Sequence, residues 1–183
     1  MRLSILLTLL LAMTPVCVMA DELSIEDDMG ELPKAVSEAI YREEGKGLQV
    51  DEDDPAQGKC ELMGKRVNLG GGKSAYFATT KEVCHWGANI GPMWLVLAEP
   101  RPAVVLGYSG VLLEQQKERH NGLPDFIAVA GTAGWSTRTW LRYDGKQYVG
   151  VKGETCTTQG EGTAKCTPMK MRKRGSAAEG GSR

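Results

Sequence analysis

Few residues of this chain could carry acid–base or nucleophilic chemistry. It has two histidines, His85 and His120. A catalytic imidazole needs a partner that holds it beside the group it serves, yet His85 adjoins a cysteine and His120 precedes an Asn-Gly turn. Ser109 lies in Gly107-Tyr108-Ser109-Gly110-Val111, where the second glycine comes one position early for a strand-to-helix nucleophile elbow. Asp125 follows Pro124 and opens the apolar stretch Phe126 to Ala130. A charge there must be hydrogen-bonded or exposed, and a turn carboxylate accepting N–H groups from Asn121-Gly122 accounts for it. Two-carboxylate chemistry requires a second acid across a cleft. Asp144 is the available one, but it belongs to an Asp-Gly turn.

Metal and phosphate sites fare no better. Asp51-Glu52-Asp53-Asp54 lacks the spacing and closing glutamate of a calcium loop. No Cys-x-x-Cys occurs, so a thiolate zinc site is not expected. Gly70-Gly71-Gly72-Lys73 leads into an extended run, whereas a phosphate cradle needs a helix N-terminus. No metal and no cofactor are therefore expected. Recognition is the better-supported chemistry. Trp86 and Trp135 sit in glycine-containing loops, and loop tryptophans are favoured anchors for protein partners. With Asn89, Arg138 and Asp125 they form the candidate binding set.

The elements that must position these residues begin after a leader. Arg2, an apolar run from Ile5 to Ala12, Pro15 and Val18-Met19-Ala20 make a secretory signal over residues 1–20. The run is too short to span a bilayer, and Thr14-Pro15-Val16 lacks the small residue expected before a lipidated Cys17. Removal of Arg2 takes the formal charge from −1 to −2. Removal of Cys17 leaves Cys60, Cys84, Cys156 and Cys166, an even set that reads as two disulfides in an oxidising compartment. Of the three pairings, Cys60–Cys84 and Cys156–Cys166 are favoured, each lying on a hairpin and each contributing roughly 2–4 kcal/mol.

Charge divides the rest. Residues 21–57 hold thirteen acids and three bases, 58–164 are nearly balanced, and the end from Lys165 is basic. Leu32, Val36, Ala39 and Ile40 share one face of a helix over about 32–44, with Pro33 in its first turn and Gly45 and Gly47 ending it. From Gly58 the pattern turns to strands punctuated by Gly70–Gly72, Pro100–Pro102, Asn121-Gly122 and Asp144-Gly145. The expected fold is α+β: an N-terminal amphipathic helix, then a mainly antiparallel meander of about eight short strands. The expected organisation is an acidic segment over 21–57, a stapled β-rich domain over 58–170, and a basic, disordered tail over 171–183.

Val67-Asn68-Leu69-Gly70-Gly71-Gly72-Lys73 with Tyr76, and Asn121-Gly122-Leu123-Pro124-Asp125 with Tyr143-Asp144-Gly145-Lys146 and Tyr148, carry a resemblance. Over about residues 31–150 the chain resembles small exported proteobacterial proteins with an N-terminal helix and a β-meander. That resemblance implies a fold and a compartment, periplasmic or secreted, and no particular activity. The combined expectation is a non-catalytic binding protein whose partner is another envelope protein, such as a cell-wall hydrolase or a toxin it neutralises. Nucleic acid is not expected as a partner, nor a transmembrane anchor after cleavage. The alternatives are an enzyme acting on envelope polymers through Asp125 and His120, and a structural envelope assembly factor.

Overall fold

The computed structural model describes residues 22–50, 58–82, 84–159 and 163–171. The segment expected to be a signal peptide, Asp51–Asp54 and the residues beyond Met171 lie outside the described residues. So does most of the turn expected between Cys156 and Cys166. No described helix is long and apolar enough to cross a membrane.

Two short strands come first, β1 (Glu22–Ser24) and β2 (Gly30–Glu31), then α1 (Lys34–Glu44) and a 3-10 turn, Gly45–Leu48. Nine strands follow: β3 (Leu62–Gly70), β4 (Lys73–Thr80), β5 (Gly91–Leu97), β6 (Ala103–Gly110), β7 (Leu112–His120), β8 (Leu123–Thr132), β9 (Trp135–Tyr143), β10 (Tyr148–Gln159) and β11 (Thr163–Pro168). Among the described residues the helix is thus not the first element, and the eleven strands exceed the eight expected. β1 and β2 are too short to show a period of two. They form because Leu23 and Ile25 are buried, while the Asp27 carboxylate accepts the Ser24 N–H and the Lys65 ammonium.

Every pairing is antiparallel, but the strands form two sheets rather than one meander. One sheet runs β2-β3-β4-β5-β6, the other β1-β7-β8-β9-β10-β11. The chain changes sheet at Val111, whose N–H donates to the Val129 carbonyl at 2.8 Å. Gly110 permits this corner, since a Cβ there would lie 2.7 Å from the Val129 carbonyl oxygen. Between the sheets lie Phe77, Met93 and Leu95 from one side and Leu113, Phe126 and Leu141 from the other.

The helix covers the outer face of the five-stranded sheet. Val36, Ala39 and Ile40 pack with Ala78, Trp94 and Val96. β5 is therefore buried on both faces, which explains its uninterrupted apolar run: Met93 and Leu95 face the other sheet, Trp94 and Val96 the helix. Pro33 caps α1, its carbonyl accepting the Val36 and Ser37 N–H groups, and Gly45 ends it at φ 58°. Cys60 bonds Cys84 and Cys156 bonds Cys166, the pairing favoured from spacing. The first staple ties the segment after the helix to the β4–β5 loop. The second joins directly opposed residues of β10 and β11.

At one end of the sandwich the hairpin turns are clasped together. Gly70, Gly71 and Gly72 all adopt positive φ, and the Arg119 guanidinium donates to the Leu69 and Gly70 carbonyls of that turn and to Gly122 of the β7–β8 turn. Asn121 and Gly122 both have positive φ, as a two-residue hairpin turn requires.

Candidate functional site

The structure distributes the five candidate binding residues rather than gathering them. Trp86 and Asn89 lie in the β4–β5 loop. Trp86 is half-buried: its indole N–H donates to Thr80 Oγ1 at 3.0 Å, and its ring occupies the space where a Cβ on Gly91 would fall. Asn89 is exposed, at φ 70°. Trp135 starts β9 and is 42% exposed. The register puts Gly91 opposite Gly110, and Gly110 abuts the Val129 carbonyl, so both loops stand at the same end of the sandwich. Arg138 lies further along β9, bridging to Glu114 at 2.8 Å and lying over Trp140.

Asp125 lies at the other end. His120 Nδ1 is 2.8 Å from Asp125 Oδ1, and Arg142 Nε is 3.5 Å from Oδ2. The two-residue turn that closes β7–β8 brings the histidine back over the aspartate, while β9 supplies the arginine. The carboxylate is therefore met by the His120 ring and the Arg142 guanidinium rather than by turn N–H groups. Asp144 fills the turn role instead, its Oδ1 accepting the Lys146 and Gln147 N–H groups, which lower its pKa.

One broad cleft has no counterpart among the candidate residues of the sequence. A cleft of about 890 Å³ runs along β6, where the five-stranded sheet ends. One wall is β6 from Val104 to Ser109. The other is Thr139 and Leu141 of β9 with Tyr148 and Gly150 of β10. Tyr108 crosses between the walls, its hydroxyl donating to Thr139 Oγ1 at 2.9 Å. Glu43 and Glu44 from the last turn of α1 also line the cleft, and Trp94 Nε1 donates to Glu44 Oε1 at 2.7 Å. Glycines inside strands mark close backbone approach; Gly107 and Gly150 were the available signal in the sequence.

Tyr148 anchors the inner end. Its hydroxyl donates to the Pro124 carbonyl at 2.8 Å, and its ring meets Phe126 edge-on. Burial, reinforced by the Asp125 and Tyr143 charges, pushes its pKa well above the ordinary value. Neither this cleft nor the smaller one between β1, β3 and β7 is lined by His120 or Asp125. The groupings of metal-ligand type among the described residues are each built on a disulfide, whose sulfurs are bonded to one another. What the cleft offers is carboxylates, hydroxyls and a strand edge, a set suited to hydrogen-bonded recognition.

No protein-family model matches the chain, and neither a curated protein nor a solved structure matches it.

Proposed function

We propose that this is an exported, non-catalytic binding protein of the periplasm, of inhibitor or immunity type, which holds an envelope-protein partner in the cleft along β6. The observation that carries this reading is a cleft of about 890 Å³ opening onto β6, an edge strand of the five-stranded sheet. Two disulfides support the oxidising compartment. The site moves accordingly from the tryptophan loops to the cleft, because Trp86 spends its indole N–H on Thr80.

Affinity capture from periplasmic extract tests it. Ser109 is exposed at the cleft wall, so Ser109→Arg obstructs the cleft without touching the core. Partner capture should be lost in Ser109→Arg and kept in Trp135→Ala. The opposite pattern returns the site to the loops and defeats the cleft.

A second reading, an enzyme acting on envelope polymers, draws support from the 2.8 Å contact between His120 and Asp125. Such a pair orients an imidazole. Loss of a polymer-cleaving activity in both His120→Gln and Asp125→Asn, with unchanged unfolding midpoints, would favour that reading over binding.

A further inference from the structure

Gly107 and Ser109 present more than a wall. In an antiparallel pair, opposed residues either exchange both main-chain hydrogen bonds or turn their N–H and C=O groups away from one another. Ser109 lies opposite Pro92. Proline has no N–H to give, and the Pro92 carbonyl accepts the Thr79 hydroxyl at 2.7 Å, on the β4 side. Pro92 and Ser109 are therefore a non-bonded pair, and Ser109 directs its polar backbone away from β5. Trp94 and Gly107, two positions along, share that parity. The N–H and C=O groups of both residues consequently face into the cleft, and among the described residues no strand pairs with β6 on that side.

Unpaired edges of this kind are templates for another strand. Gly107 adds no side chain to block approach. The charged side chains that line the cleft are Glu43 and Glu44, both acidic. Glu44 is held in place by the Trp94 indole, while Glu43 is exposed. Two carboxylates beside a bare strand edge select a segment that is extended and carries basic side chains.

We propose that the cleft binds an extended, basic polypeptide segment of the partner by strand addition to β6, a proposal that rests on the cleft being the protein's binding site. Hydrogen bonds to Gly107 and Ser109 hold its backbone, and its lysine or arginine side chains reach the Glu43 and Glu44 carboxylates. Met171 also lines the cleft, and Arg172, Lys173 and Arg174 follow it in sequence, so the chain's own tail is the rival occupant to be distinguished.

The experiment uses the mature chain and two short peptides, one of alternating lysine and threonine, one of alternating glutamate and threonine. The lysine peptide should bind about tenfold or more tightly than the glutamate peptide at low salt and slow amide hydrogen exchange at Gly107 and Ser109. Glu43→Gln should narrow that preference. Equal binding of both peptides, or protection elsewhere, overturns the proposal. So does a tenfold rise in affinity when Arg172, Lys173 and Arg174 are all replaced by serine, which identifies the tail as occupant. If neither peptide binds while Ser109→Arg still abolishes partner capture, the peptide class fails and the cleft stands. If capture also survives Ser109→Arg, the cleft itself fails.

Discussion

Trp94 donates its indole N–H to Glu44 Oε1 at 2.7 Å, joining the middle of β5 to the end of α1. The tryptophan ring belongs to the packing beneath the helix, so one residue serves the core through its carbon frame and the cleft through its nitrogen. Trp94→Phe keeps most of the apolar contact and deletes the donor. A hydrogen bond to a charged acceptor contributes about 1.5–3 kcal/mol at most, less where water can substitute. Urea unfolding should show a loss of about 1–2 kcal/mol, and an unchanged midpoint would mean the bond contributes nothing.

The two disulfides should differ in weight. Cys60 and Cys84 are 24 residues apart, Cys156 and Cys166 only 10. Loop-closure entropy assigns about 3 kcal/mol to the first and somewhat less to the second. Cys60 is also buried beside the helix and its backbone carbonyl accepts the Tyr41 hydroxyl. Replacing both cysteines of the first pair by serine should therefore lower thermal stability more than replacing the second pair. Equal losses would place the helix-side staple on the same footing as the sheet-edge one.

Tyr148 makes the fold sensitive to alkali. Burial raises its pKa above the ordinary 10.0. Below that value both folded and unfolded chains keep the phenolic proton, and the tyrosine's contribution is whole. Above it the unfolded chain releases a proton that the folded chain retains, so stability falls as pH rises through and beyond about 10. Tyr148→Phe should cost about 1–2 kcal/mol at neutral pH through the lost bond to Pro124. It should also flatten the decline between about pH 9 and pH 11, measured as the shift of the urea midpoint.

Gly70 and Arg119 should prove coupled. A Cβ at Gly70 would lie 3.0 Å from Arg119 Nη1, on a backbone with φ 71°. Gly70→Ala should destabilise by about 1–2 kcal/mol from strain and crowding together, and Arg119→Ala by about 1–3 kcal/mol from three lost carbonyl contacts. In the double variant the crowding vanishes, so the summed single losses should exceed the measured one. Strict additivity in a double-mutant cycle would show that the two do not meet.

The loop tryptophans should separate by role. Trp86→Ala removes a half-buried ring and its bond to Thr80, and should cost about 2–3 kcal/mol. Trp135, 42% exposed, should cost under about 0.5 kcal/mol. Chemical denaturation of the two variants checks both values.

Much of the fold was legible in the residues. Asn121-Gly122, Asp144-Gly145 and the Gly70–Gly72 run mark turns because their backbone angles demand those residue types. The apolar face Val36, Ala39, Ile40 marks the helix because its spacing matches the helical turn. The His120–Asp125–Arg142 cluster was only partly legible: the turn between His120 and Asp125 implied proximity, but Arg142 enters through cross-strand register. Trp86 and Trp135 looked alike in sequence, and only their neighbours, Thr80 and Gly91 in one case and open surface in the other, separate them.

The sequence by itself determined the local conformations and the spacing of the cysteines that pair, since turns, caps and periodicity are set by residues a few positions apart. Tertiary structure alone decided that the strands divide at Val111 into two sheets, that β1 and β2 precede the helix, and that β6 is left at an edge. Those outcomes depend on which strand a distant strand meets. Gly107, Tyr108, Thr139, Gly150 and Glu44 form one cleft for the same reason: contacts between residues tens of positions apart leave no periodic trace along the chain.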